Sequence, residues 1–214
     1  MIVPGFRFAG VAAGIKKKGG LDVGLLATDA PAATAAVFTG NRVKAAPVVL
    51  SAAHLRAARG RTRGVIVNSG NANACTGKSG AAHAKTMASA AAGAIGARAA
   101  QMLVCSTGVI GAPLPIDRVT AGIAAAGAAL RPGGFADFAA AILTTDRGPK
   151  IATRTTVIGK TPVTLVGCTK GAGMIAPNMA TTLTFVATDA ALPPAALTKA
   201  TRAAVDPTFN AIAV

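Results

Sequence analysis

The sequence predicts a mixed α/β or α+β domain, and three observations lead there. Short runs of β-branched and apolar residues alternate with Ala-rich stretches long enough for helices. Two β-like runs flank a Gly-first dipeptide, the arrangement of a tight hairpin. No fixed period repeats along the chain and no Ser/Gly-rich linker divides it, which argues against a solenoid and against independent domains.

In chain order, strands are expected at residues 21–27, 36–38, 65–67 and 102–105, where Val, Leu, Ile and Phe concentrate. Residues 157–158 and 163–166 form the hairpin across Gly159-Lys160, since Gly at the first turn position suits type II′. Residues 183–187 complete the strands, with Leu183, Phe185 and Ala187 on one face and Thr182, Thr184 and Val186 on the other. Helices are expected at 80–100, 117–130, 135–143 and 195–205. Asp117 after Pro115 is the N-cap candidate of the second, and Gly133-Gly134 its terminator.

The chain has 214 residues, 52% hydrophobic and 14% charged, which supports a real core and excludes intrinsic disorder. The longest uncharged stretch, 99–116, is broken by Gly108, Gly111, Pro113 and Pro115, so it makes no clean membrane span. Met1 leads into Pro4, Gly5 and Arg7 rather than an apolar signal core, so the expectation is a soluble cytoplasmic protein.

Net charge is +15, from 22 Lys and Arg against seven acids that are all Asp. Without Glu, no mechanism within this chain can use a Glu acid or base. The charge fits a solvated basic surface or an anionic partner. Nucleic acid is disfavoured, because aromatics are 3% and all are Phe, leaving no Tyr or Trp to stack on bases. Arg56, Arg59, Arg61 and Arg63 cluster between a helix-like and a strand-like run, as in a solvated loop. Cys75, Cys105 and Cys168 are odd in number and far apart, which gives neither a disulfide framework nor zinc spacing. His54 and His83 sit in Ala-rich helical stretches with no ligand partner near in sequence. No metal is expected.

Three glycine-rich places invite a chemical reading. Residues 70–79 end in Gly77-Lys78-Ser79 like a phosphate loop, but the position five before Gly77 is Ala72, so the spacing fails. Gly171-Ala172-Gly173-Met174-Ile175-Ala176 has the letters of a dinucleotide fingerprint, yet Pro177 falls where its helix should be under way. Residues 170–183 carry Lys170, then deliver Thr181 to the start of an apolar strand. A Thr hydroxyl needs a base, and the chain offers no convincing His–Asp pair. A Thr made N-terminal by cleavage supplies its own α-amine, with pKa about 7.7–8.0. The small Ala180 ahead of it suits a turn for an N→O acyl shift. β-branched Thr is also common at plain strand starts, and the residues alone leave both readings open.

Residues 170–183 resemble the signature of the ornithine acetyltransferase family, self-cleaving enzymes of arginine biosynthesis. Other segments agree in order: Gly5-Phe6-Arg7 with Ala9-Gly10-Val11-Ala12-Ala13-Gly14-Ile15-Lys16, and Val37-Phe38-Thr39-Gly40-Asn41 with Ala45-Ala46-Pro47-Val48. Then follow Asn68-Ser69-Gly70-Asn71-Ala72-Asn73-Ala74-Cys75-Thr76-Gly77 and Ser106-Thr107-Gly108-Val109-Ile110-Gly111 with Leu114-Pro115. The last patch is Thr144-Thr145-Asp146 with Pro149-Lys150.

The resemblance implies a layered α/β fold, a sheet sandwich between helices. It implies self-cleavage between Ala180 and Thr181, which divides residues 1–180, the α-chain region, from 181–214, the start of a β chain. Thr181 would be the nucleophile, taking acetyl from N-acetylornithine and passing it to glutamate in a ping-pong transfer. Thr107 and the Gly108 backbone N–H match the oxyanion hole. Thr144, Lys170 and Thr181 match substrate-binding positions, with Lys170 facing a carboxylate and Thr145 able to share the role. No cofactor is implied, although some members accept acetyl-CoA as a substrate. The expected assembly is a heterotetramer of two α and two β chains, with no nucleic acid or membrane partner. Family members are considerably longer, and segments carrying an acidic substrate ligand and further Asn and Thr contacts have no counterpart in these 214 residues. The chain therefore reads as a truncated member. The alternatives are an inactive or partner-dependent piece of such an enzyme, or a basic anion- or nucleic-acid-binding module.

Overall fold

The structure, a computed structural model, describes residues 1–176 and 181–213. Its strands are β1 (Phe6–Val11), β2 (Val23–Ala33), β3 (Arg61–Asn71), β4 (Met102–Val109), β5 (Lys150–Ile158), β6 (Thr161–Lys170) and β7 (Leu183–Thr188). Its helices are α1 (Ala46–Ala57), α2 (Gly77–Ile95), α3 (Ile116–Ala128), α4 (Phe135–Ala141) and α5 (Pro194–Val205).

Side-chain alternation along the strands sorts the core into two layers. Leu25, Ile66 and Val104 pack with Met87, Ala88 and Ala91 of α2 and with Val119 and Ile123 of α3. Their sequence neighbours Leu26 and Val67 face the other way. They join Phe135 and Phe138 of α4 and Val166, Cys168 and Ala187 of a second sheet. One sheet has the order β1-β2-β3-β4, the other β5-β6-β7. The result is helices, then sheet, then sheet. Almost all pairings are antiparallel, the exception being β3–β4, which run parallel with α2 as their crossover. The predicted sheet sandwich is present; α2 and α3 cover the outer face of the first sheet, while β5 is largely exposed.

β4 is an edge strand, and α1 caps that edge with side chains in place of a fifth strand. Ser51 Oγ donates to the Val104 carbonyl and accepts from the Val104 N–H, both at 2.8 Å. His54 Nδ1 donates to the Met102 carbonyl at 2.8 Å, an ordinary structural role for this histidine.

Several expectations need correction. Residues 36–38 form no strand, because pairing of β2 with β3 ends at Ala33–Arg61 and the chain then leaves the sheet. Asp117 is in the first turn of α3 and not its cap; the cap position is Pro115. α3 stops at Ala128, short of Gly133-Gly134, and Gly134 instead precedes α4, where a Cβ would lie 2.0 Å from the Phe8 carbonyl oxygen. α2 begins at Gly77 and ends at Ile95, released by Gly96 in the left-handed conformation at φ 63°. Arg63 is not a solvated loop charge: its Nε donates to the Thr28 carbonyl at 2.9 Å. The hairpin stands as expected, with Ile158 opposite Thr161 and Gly159 at φ 66°.

Candidate active site

The parallel pair β3–β4 delivers its carboxyl ends to one place. Ser69 pairs with Thr107 and Gly70 with Gly108, after which the register slips at Asn71. The slip requires two backbones in near contact. A Cβ on Gly108 would stand 2.3 Å from the Gly70 carbonyl carbon, and Gly108 itself has φ 133°. Only glycine meets both demands. Gly70, at φ 103°, is tight on its other side, where a Cβ would meet Ile15 and the Lys16 nitrogen. That 13–16 loop is pinned by the fully buried Asp22 carboxylate, which accepts from the N–H groups of Ala13, Ile15 and Lys16 at 2.6, 2.6 and 3.0 Å.

The loop after β3 is stiffened by a chain of buried amides. Asn68 Nδ2 donates to the Asn71 carbonyl, Asn71 Oδ1 accepts from the Asn73 N–H, and Asn73 Nδ2 donates to the Gly80 carbonyl in α2. This is the segment whose letters half-match a phosphate loop; its polar groups are spent on the fold.

A cavity of about 150 Å³ opens against the strand ends, lined by Ala45, Ala72, Ala74, Ser106, Thr107, Gly108, Ile110, Thr181, Thr182 and Leu183. Three sequence-predicted residues, Thr107, Gly108 and Thr181, therefore meet there, although 73 positions separate Gly108 from Thr181. Thr181 is exposed and has φ 63°. That conformation is strained for a β-branched residue. Ala180, the other half of the predicted scissile bond, lies outside the described residues.

Lys170 enters from the second sheet as the last residue of β6. It is buried, and its Nζ donates to Thr107 Oγ1 at 3.2 Å. Burial pushes its ammonium below the usual lysine value; Asp146 opposes that shift and the charge of Lys150 adds to it. Lys16 is depressed likewise, by burial first, with Asp22 opposing and Lys170 adding. Three lysines thus converge on the site. Lys150 is paired with Asp146, and the Lys16 ammonium donates to the Leu21 carbonyl. Lys170 faces the cavity residue Thr107.

Thr144 is half-buried in the α4–β5 connection and is not among the residues that line this cavity. Two residues on, Asp146 Oδ1 accepts from the Gly171 N–H at 2.9 Å and from Lys150 Nζ. Asp146 and Lys150 belong to the Thr144-Thr145-Asp146 and Pro149-Lys150 patch, where the family resemblance implies no role for either. The available signal was scarcity: Asp146 is one of only seven acids in the chain.

Chemically, the arrangement offers an exposed hydroxyl on a strained residue, a hydroxyl and a glycine backbone beside it, and a buried cation one hydrogen bond away. Neither part-buried Cys105 nor buried Cys168 offers a competing thiolate, since desolvation pushes both thiols up to about 12. Among the described residues no group of three metal-ligating side chains gathers, and no helix is long and apolar enough to cross a membrane.

The chain is 53% identical over 214 residues to the arginine biosynthesis bifunctional protein ArgJ of Geobacter sulfurreducens, covering all of this chain and 54% of that protein. It spans about half the length of the curated relatives it matches. Among solved structures, the arginine biosynthesis bifunctional protein ArgJ of Bacillus halodurans superposes with TM-score 0.76 at 40% identity, over 82% of this chain and 91% of that one. The ornithine acetyltransferase of Mycobacterium tuberculosis, solved in complex with ornithine, gives TM-score 0.73 at 43% identity, over 82% and 92%. With the ArgJ family model matching residues 7–214, the chain belongs to the ArgJ family.

Proposed function

We propose that this chain carries the nucleophilic half of an acetyltransferase of arginine biosynthesis, with Thr181 as the acyl carrier. The observation that carries the reading is the meeting of Thr181, Thr107 and Gly108 in one small cavity. In the first stage Thr181 Oγ attacks the carbonyl carbon of the preceding peptide bond. An ester forms, the Thr181 amine is released, and water hydrolyses the ester. Strain at φ 63° favours this step, because cleavage relieves it. Residues 1–180 and 181–214 are then an α-chain region and the start of a β chain. The solved relatives support this division: their matched chains are shorter than this one, although the curated relatives are far longer.

In the second stage the freed α-amine takes the Oγ proton as Oγ attacks the acetyl carbonyl of N-acetylornithine. Thr107 and the Gly108 N–H stabilise the tetrahedral oxygen, donors worth about 3 kcal/mol each. The C–N bond breaks and ornithine leaves with the proton. The glutamate amine attacks the acetyl ester, giving N-acetylglutamate and free Thr181. Lys170 holds a substrate carboxylate, with Thr144 a further substrate contact. The chemistry uses no cofactor; acetyl-CoA is an alternative acetyl donor. The pieces stay associated as two α and two β chains. Nothing in this scheme calls on nucleic acid or a membrane, and it fits a cytoplasmic protein.

Intact mass spectrometry tests the first stage. Protein held at neutral pH is expected to break before Thr181, and Thr181→Ala to remain whole. An uncut wild-type chain that still exchanges acetyl groups overturns the cleavage step. The half-length match to curated relatives favours a second reading, in which these residues act only with a separate C-terminal half. Activity that appears only when the C-terminal half of a relative is added selects it.

A further inference from the structure

We propose that Asp146 and Lys150 are positioning residues that hold Gly171 by both its backbone groups and thereby aim Lys170 at Thr107. The inference rests on the reading of Lys170 as the cation of the acyl-transfer site, and it assigns the parts that make Lys170 fit for that role.

The geometry is a closed ring. Asp146 Oδ1 accepts from the Gly171 N–H at 2.9 Å, Lys150 Nζ donates to the Gly171 carbonyl at 2.9 Å, and the same Nζ pairs with Asp146 Oδ1. Gly171 ends the β6 strand immediately after Lys170 and has φ 150°. Its far side is filled: a Cβ there would lie 3.0 Å from the Thr182 methyl and 3.3 Å from Ile175. The ring therefore fixes the exit of the chain from Lys170 and its packing on the residue next to Thr181. A flexible lysine side chain has several rotatable bonds, so its aim depends on a fixed Cα.

Charge gives the ring a second task. The Asp146 side chain is fully buried, and among the described residues its Oδ2 has no hydrogen-bond partner. A carboxylate serving only as a backbone clamp is ordinarily satisfied on both oxygens. This one keeps half its capacity uncommitted in the field of neighbouring cations. The charged groups facing Lys170 are Asp146 from the α4–β5 connection, Lys150 from β5 and Lys16 from the β1–β2 connection. Asp146 is thus the anion that offsets burial and two like charges, and keeps Lys170 protonated for an anionic substrate group.

The test is a pH titration of the Lys170 Cε signal by NMR on lysine-labelled protein, assigned by its loss in Lys170→Met. Asp146→Asn preserves shape and an acceptor for Gly171 but removes the charge, so the Lys170 midpoint is expected to fall by about one unit. Lys150→Met removes a like charge and the hold on the Gly171 carbonyl. Its expected effects are a rise of the midpoint and faster amide exchange across 170–172. A merely structural ring predicts something different: either variant admits water, and both midpoints rise toward about 10.4. Shifts of the same sign, or no shift in Asp146→Asn, overturn the proposal. Because the readout needs no turnover, it stands apart from whether Thr181 carries acetyl.

Discussion

Lys170 Nζ donates to Thr107 Oγ1 at 3.2 Å, a bond that ties the end of β6 in one sheet to the end of β4 in the other. The two residues are 63 positions apart, and each is buried. Through this contact the cation of the second sheet polarises a hydroxyl in the cavity that also holds Thr181. A Thr107 hydroxyl that accepts from Lys170 has its own proton free to donate toward a developing oxyanion.

Thr107→Val tests that donor with almost no change of volume. Acetyl transfer is expected to fall by about 10²–10³-fold, mainly in kcat, with thermal stability nearly retained. Transfer rates are measured on the chain alone and completed by the C-terminal half of a relative. An unchanged kcat in both removes Thr107 from the oxyanion role.

Gly108→Ala has a backbone origin. The added methyl meets the Gly70 carbonyl carbon at 2.3 Å, and φ 133° is itself unfavourable for alanine. The β3–β4 strand ends must separate, which displaces the Gly108 backbone that lines the cavity. We expect a loss of about 2–4 kcal/mol in denaturant unfolding together with loss of transfer. A variant of native stability contradicts the close packing of the strand ends.

The pH dependence has two limbs. Lys170 titrates below the usual lysine value, chiefly because it is buried, so its charge is lost earlier than that of a surface lysine as pH rises. Binding of a carboxylate substrate should weaken through that window. Stability moves oppositely: a lysine with a depressed folded value destabilises while protonated, a cost complete below that value and relieved as pH rises from it to the ordinary lysine value of about 10.4. Burial pushes Asp146 upward, but hydrogen bonds from Lys150 and Gly171 and the charges of Lys150 and Lys170 outweigh it and hold its carboxyl below the ordinary range. Its contribution is complete above about pH 3.9 and is lost as pH falls through the lowered value. Melting curves of Asp146→Asn should show a flatter acid limb than the parent. An unaltered acid limb refutes the assignment.

Phe138 joins the layers. Its ring lies 6.1 Å from Phe8 of β1, 6.5 Å from Phe135 and 5.2 Å edge-to-face from Phe185 of β7. Phe138→Ala is expected to cost about 3–5 kcal/mol in chemical denaturation. A cost under about 1 kcal/mol shows that the second sheet is held by other contacts.

The central strands and the hairpin were legible because their apolar content exceeds anything around them. β1 escaped notice: Arg7 and Gly10 interrupt its pattern, and Gly10 is required there because a Cβ would stand 2.1 Å from the Asp137 carbonyl oxygen. β5 was found only at its apolar end, since nearly the whole strand is exposed and carries no alternating signal. Thr181, Lys170, Thr107 and Gly108 were found by family resemblance, not by spacing, since the fold alone brings them together. Asp146 lies in an irregular segment and Lys150 at the first position of the exposed β5, so no periodicity marks them, and their ring closes on a residue 25 positions away from Asp146.

The most direct measurement is peptide mapping after a brief incubation with isotopically labelled N-acetylornithine, quenched in acid, with the C-terminal half of a relative supplied. The account predicts a labelled acetyl ester on the Thr181 hydroxyl, discharged by glutamate and missing in Thr181→Ser only if the serine ester turns over faster than it forms. Label on another side chain, or transfer to glutamate in protein whose Thr181 never carries it, contradicts the account.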